Sequence, residues 1–238
     1  MTSTLPTGAE LRVTGSGPFA VVCVNGGQSR EVPGTWSATL EWLVRRLAPS
    51  FPGLRFAEVR YRIKSWKRLE LCIEDARAAI EAVAAERTLL LGFSMGGAVS
   101  IATSGDGAVE GVVGLAPWIP DRLDVSPLDG KRLVVLHGAL DRWLPGIPGV
   151  SPASSRHGFG RAVTAGAEGT YTVIPGGVHG VAVRSGARLL PLPRAGRWAE
   201  LVGDERRRFE SPYGAGARAA RRSGASRPRR VRTSPARG

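Results

Sequence analysis

The sequence predicts an α/β fold: a mostly parallel, doubly wound sheet flanked by helices. Three observations predict it. Short apolar runs recur along the chain, amphipathic helical patterns separate them, and most of the runs lack the alternation of a strand with one wet face. At 238 residues the chain fits one domain with an appendage, and a domain of this size hides ~70% of its unfolded surface.

Taken in order, Leu11 to Thr14 is a short first strand, and Phe19 to Val24 (FAVVCV) is a buried strand ending in the turn Asn25-Gly26-Gly27. Trp36, Leu40, Leu43, Val44 and Leu47 recur at helical spacing, with Thr35 as the N-cap. Phe56 to Ile63 alternates apolar and charged residues, which predicts a half-wet strand at or near a sheet edge. Leu69, Ile73, Ala76, Ile80 and Val83 stripe the next helix. Thr88 to Phe93, Val112 to Ala116, Leu133 to Leu136 and Tyr171 to Ile174 read as strands dry on both faces. Helices fit residues 151–165, although Gly158 and Gly160 weaken the pattern, and 194–202.

The charge is unevenly placed. The whole chain carries +13, but residues 206–238 hold eleven arginines against one acid and account for +10. That segment is rich in Gly, Ala, Ser and Pro, so the reading is a folded domain over 1–205 and a disordered Arg-rich tail over 206–238. The near-balance of the rest gives no ground for a nucleic-acid-binding fold. Contact with a membrane or nucleic acid is expected only through the tail. No run approaches the ~20 apolar residues of a membrane span, and no secretory signal is read. Cys23 and Cys72 sit in apolar patterns as inert thiols, which points to a reducing, cytoplasmic setting.

Three strand ends carry chemistry. Gly92-Phe93-Ser94-Met95-Gly96-Gly97 follows a dry strand and opens a helix, the setting that a nucleophile elbow requires. His137-Gly138-Ala139-Leu140-Asp141 follows LVVL, and a carboxylate there faces the crevice at the strand ends; Asp121 and Asp124 are its rivals. Pro175-Gly176-Gly177-Val178-His179-Gly180 follows YTVI. Of three histidines, His179 in that loop is the choice for a base. His137 is still close to its strand, and His157 lies in a helix with no partner in view.

Ser, Asp and His occur in the chain order of the α/β-hydrolase triad. Residues 10–205 resemble an α/β-hydrolase-fold serine hydrolase of the esterase-like kind. The resemblance implies Ser94 as nucleophile, His179 as base and Asp141 as its orienting acid, with an oxyanion held by the backbone N–H groups of Met95 and Gly27 (Gln28 second). Gln28, Trp118 and Trp143 are candidates to line the pocket. Where the family usually has His-Gly after its first long strand, this chain has Asn25-Gly26. Pro120 to Lys131 is too short for a cap, so a capless core with an open site is expected, and the few residues before Phe19 imply sheet strands shortened or lost on that side. The implied reaction is cleavage of a small-molecule carboxylic ester or thioester through an acyl-enzyme. Acyl transfer or perhydrolysis by the same triad, and a non-catalytic binding protein with a basic tail, are the alternatives. No metal-ligand spacing, phosphate loop or dinucleotide fingerprint is present, and no cofactor is implied.

Overall fold

The computed structural model describes residues 1–142 and 149–210. Eight strands form the main sheet: β1 (Thr2–Thr4), β2 (Glu10–Thr14), β3 (Phe19–Val24), β5 (Leu54–Arg60), β7 (Arg87–Phe93), β8 (Val109–Leu115), β9 (Arg132–Gly138) and β10 (Glu168–Ile174). Their order is β1-β2-β5-β3-β7-β8-β9-β10, antiparallel at β1-β2-β5 and parallel thereafter. Two small antiparallel pairs stand beside it: β4 (Val32–Pro33) with β6 (Ile63–Lys64), and β11 (Ala182–Ser185) with β12 (Arg188–Pro191).

Side chains leave a strand alternately to either face, and the core divides accordingly. Val22, Leu90, Leu133 and Val135 pack with helices α2 (Leu69–Val83), α3 (Met95–Thr103) and α4 (Pro152–Thr164). Val21, Cys23, Leu89, Leu91, Val134 and Leu136 pack with α1 (Ala38–Leu47) and α5 (Ala195–Glu210). Helices on both faces make the sheet doubly wound, as the dry runs predict.

Several expectations change. The N-terminal strands are short, at three and five residues, but none is lost. Residues 56–59 of β5 are buried, and the strand lies between β2 and β3 rather than at the edge. Its charged residue Glu58 is neutralised by Arg12 of β2 through hydrogen bonds of 3.0 and 2.8 Å. Strand β10 is itself the edge, so its residues are largely exposed and not dry. The cap of α1 is Ser37, whose hydroxyl accepts the Leu40 N–H, and not Thr35. Finally, α5 runs to Glu210, so the boundary at 205/206 falls inside a helix; Arg206 is buried with its guanidinium 4.1 Å from the Phe51 ring. Residues 211–238 lie outside the described residues.

Only the 3-10 turn Ser126–Leu128 interrupts the connection from β8 to β9, so no helical cap arises there. The strands β3, β7, β8, β9 and β10 all run the same way, and their C-terminal ends gather Asn25, Ser94, Asp141 and His179 along one rim of the sheet.

Candidate active site

Ser94 joins the end of β7 to the start of α3 with φ 54° and ψ −119°. A non-glycine residue in that region costs about 1–3 kcal/mol and is kept only where its surroundings enforce it. Here backbone bonds do so. Ser94 N–H donates to Leu115 O at 3.0 Å, while Ser94 O accepts from Gly97 N and Trp118 N, each at 2.9 Å. The helix also approaches β3 closely: a Cβ on Gly96 would overlap the carbonyl oxygen of Val24 and crowd that of Asn25. This is the physical need behind the glycine in the motif.

Two strands away, Asp141 lies fully buried with Oδ2 2.7 Å from His179 Nδ1. A carboxylate only accepts, so Nδ1 carries the proton and the lone pair of neutral His179 is on Nε2, at the far side of the ring. The ring is packed 5.0 Å from Phe93, the residue before Ser94. Burial pushes the Asp141 carboxyl up, but hydrogen bonds and charge from His137 and His179 outweigh it and hold the group below the usual carboxylate range. Oδ1 of Asp141 accepts the Val150 N–H at 3.2 Å. The His179 loop is fastened to α1, where Thr39 Oγ1 accepts the Val181 N–H at 3.0 Å and donates to Ala182 O at 3.4 Å. Beyond it, Arg184 of β11 reaches Glu41 of α1 at 2.6 Å.

The rival residues lie elsewhere. Asp121 is exposed and faces the exposed His157 at 3.4 Å. Asp124 accepts from both the N–H and the hydroxyl of Ser126, each at 2.9 Å.

The loop after β3 is held by Asn25, which sequence reasoning treated only as a departure from a histidine. Its side chain is buried; Oδ1 accepts the Gly26 N–H at 2.7 Å and Nδ2 donates to Thr35 O at 2.7 Å. Its carbonyl accepts the Tyr61 hydroxyl at 3.0 Å. Gly27 then lies so close to Met95 that a Cβ would overlap its Sδ. Met95 is the first residue of α3, and an N–H there has no acceptor within the helix. The structure therefore brings Gly27 and Met95 together beside Ser94. Gln28 is half-buried and its carbonyl accepts the Trp66 N–H at 3.1 Å. Trp118 is half-buried next to the elbow, and Trp143 lies outside the described residues.

Both thiols are buried and free. Burial pushes Cys23 well above its ordinary value and Cys72 up to about 11, which suits inert thiols. Among the described residues no cluster of three His, Cys, Asp or Glu side chains forms a metal site, and no helix is long and apolar enough to cross a membrane.

No protein-family model matches the chain, and no curated protein matches it. Solved structures do. A sugar hydrolase from Lactococcus lactis superposes with a TM-score of 0.65 at 16% identity, over 88% of this chain and 97% of that one. An esterase from Pyrococcus furiosus gives 0.63 at 15% identity, over 87% and 90%. A lidless α/β serine hydrolase from Xanthomonas campestris gives 0.54 at 17% identity, over 75% and 85%. The strand order, the elbow after β7 and these likenesses agree, and they show that the chain has the α/β-hydrolase fold.

Proposed function

We propose that this chain is a serine hydrolase that cleaves a small-molecule carboxylic ester or thioester through an acyl-enzyme on Ser94. The observation that carries the reading is the 2.7 Å contact between buried Asp141 and His179, whose ring rests on the residue preceding the strained Ser94. The esterase among the structural neighbours favours an ester substrate.

A serine hydroxyl is a weak nucleophile and needs a base. His179 Nε2 takes the proton as Ser94 Oγ forms its bond to the acyl carbon. Negative charge then collects on the former carbonyl oxygen, where the N–H groups of Met95 and Gly27 receive it. The imidazolium is stabilised by Asp141, which remains ionised. Collapse breaks the bond to the leaving group, and His179 gives that group its proton. Water, deprotonated by His179, repeats the sequence on the acyl-enzyme, releasing the acid and restoring Ser94.

The test is turnover of p-nitrophenyl esters from acetate to octanoate, with fluorophosphonate labelling of the same protein. Ser94→Ala is expected to lower kcat by about 10⁴-fold or more and to abolish labelling while the fold is kept. A variant that retains wild-type turnover would overturn the assignment. Added alcohol or peroxide diverting the acyl group from water would identify acyl transfer or perhydrolysis instead.

A further inference from the structure

Asp141 is shared by two imidazoles. His137, at the penultimate position of β9, is completely buried, and its Nε2 lies 3.1 Å from Asp141 Oδ2 and 2.9 Å from Val150 O. Both neighbours of that nitrogen can only accept, so Nε2 carries the proton; its hydrogen bond goes to Val150 O, with Asp141 Oδ2 in contact beside it. Nδ1 is then bare, and it has no hydrogen-bond partner among the described residues.

The carboxylate thus meets polar groups from three places. Oδ2 bonds His179 from the loop after β10 and lies against Nε2 of His137 from β9, while Oδ1 takes the N–H of Val150. With its two oxygens engaged on different sides, the carboxylate plane has little freedom to rotate. We propose that His137 is a positioning residue for the acid–base pair: its Nε2–H fixes Oδ2 of Asp141 so that the carboxylate meets His179 in one orientation. The inference rests on the proposed roles of Asp141 and His179 and adds a fourth residue to them.

Other groups around His137 do not compete for Oδ2. Tyr171 of β10 stacks on the ring at 6.1 Å with its hydroxyl donated to Pro152 O at 3.0 Å. Arg156 of α4 lies over the Tyr171 ring at 4.4 Å. Burial raises the Asp141 carboxyl, and the bond from His137 is the first of the interactions that pull it back down. Removing that bond leaves burial less opposed.

The experiment compares kcat/KM against pH for p-nitrophenyl ester hydrolysis by the wild type, His137→Gln, His137→Asn and His137→Leu. Glutamine places an N–H near the position of Nε2, and asparagine is too short to do so. The expected result is a wild-type profile for His137→Gln. For His137→Asn and His137→Leu kcat should fall about tenfold, with KM little changed. Comparing Gln with Asn keeps the test intact if the leucine variant fails to fold. Asn and Gln profiles that coincide with each other would overturn the proposal, because ring packing and not the donor would then matter.

The His179 Nδ1 proton, followed by ¹H–¹⁵N NMR in the same proteins, gives a reading that needs no turnover. It should stay sharp in the wild type and in His137→Gln, and broaden by exchange in His137→Asn. A sharp signal in all of them refutes the positioning role. A wild type that shows the expected NMR pattern but no esterase activity refutes the proposed function and leaves the positioning role standing.

Discussion

The two halves of the site are built by different forces. On the nucleophile side, between β3, β7 and α3, backbone packs on backbone. Ser94 is held by three main-chain hydrogen bonds, Gly96 leaves no room for a Cβ against the backbone of β3, and Gly27 is filled against by the buried Met95 side chain. On the acid–base side, at β9 and the exposed edge strand β10, bonds through polar side chains do the holding: Asp141 accepts from the Val150 N–H and from His179, with His137 against it, and Thr39 ties the His179 loop. Close packing tolerates no added volume, whereas a hydrogen-bonded loop tolerates volume better than it tolerates a lost donor or acceptor. Substitutions that add a methyl should damage the first half, and isosteric losses of polarity the second.

The largest expected effect comes from Asp141→Asn. The amide keeps the size of the side chain but lacks the charge that stabilises an imidazolium, so kcat should drop about 10³–10⁴-fold with the melting temperature changed far less than the rate. A drop below tenfold in esterase kinetics would mean that Asp141 is not the acid. Next is Gly27→Ala. Its methyl group meets Met95 Sδ, and displacing the loop should cost about 10–100-fold in kcat with KM less affected, measured with the same ester. Wild-type rates would break the contrast, because the nucleophile side would then accommodate volume. The smallest effect is expected of Thr39→Val, which removes the hydroxyl that ties the His179 loop to α1. Urea unfolding should show a loss of about 1 kcal/mol, and kcat a fall of several-fold. Unchanged stability and rate would show that the loop is held by packing alone.

The same division explains what could be read from the sequence. A crowded elbow needs glycines at fixed positions, and G-x-S-x-G records that need. Asp141 and His179 could be placed because each follows a strand and the chain offers few histidines. The bonds that set their geometry leave no local trace. Nothing near His137 announces that it reaches Asp141, and nothing near Asn25 announces its bond to Thr35. Alternating charge in β5 suggested water, but Glu58 meets an arginine 46 residues away in the chain. Strand β1, three exposed polar residues, exists only through its pairing with β2. The arginines from 206 onward resembled a solvated tail, yet the first of them lies buried against Phe51 as α5 continues. For Glu58 and Arg206 the deciding partner is distant in sequence, whereas His137 and Asp141 are four residues apart and only the turn between them brings them together.

The bond from Val150 N–H to Asp141 has a consequence for how this site can change. It closes a ring in the chain: residue 149 returns so near residue 142 that a Cβ on Gly149 would overlap the carbonyl oxygen of Arg142. The acid is thus the clasp of the segment that follows it. A change at Asp141 therefore acts in two places at once, on the imidazole it orients and on the course of the chain at residues 149 and 150.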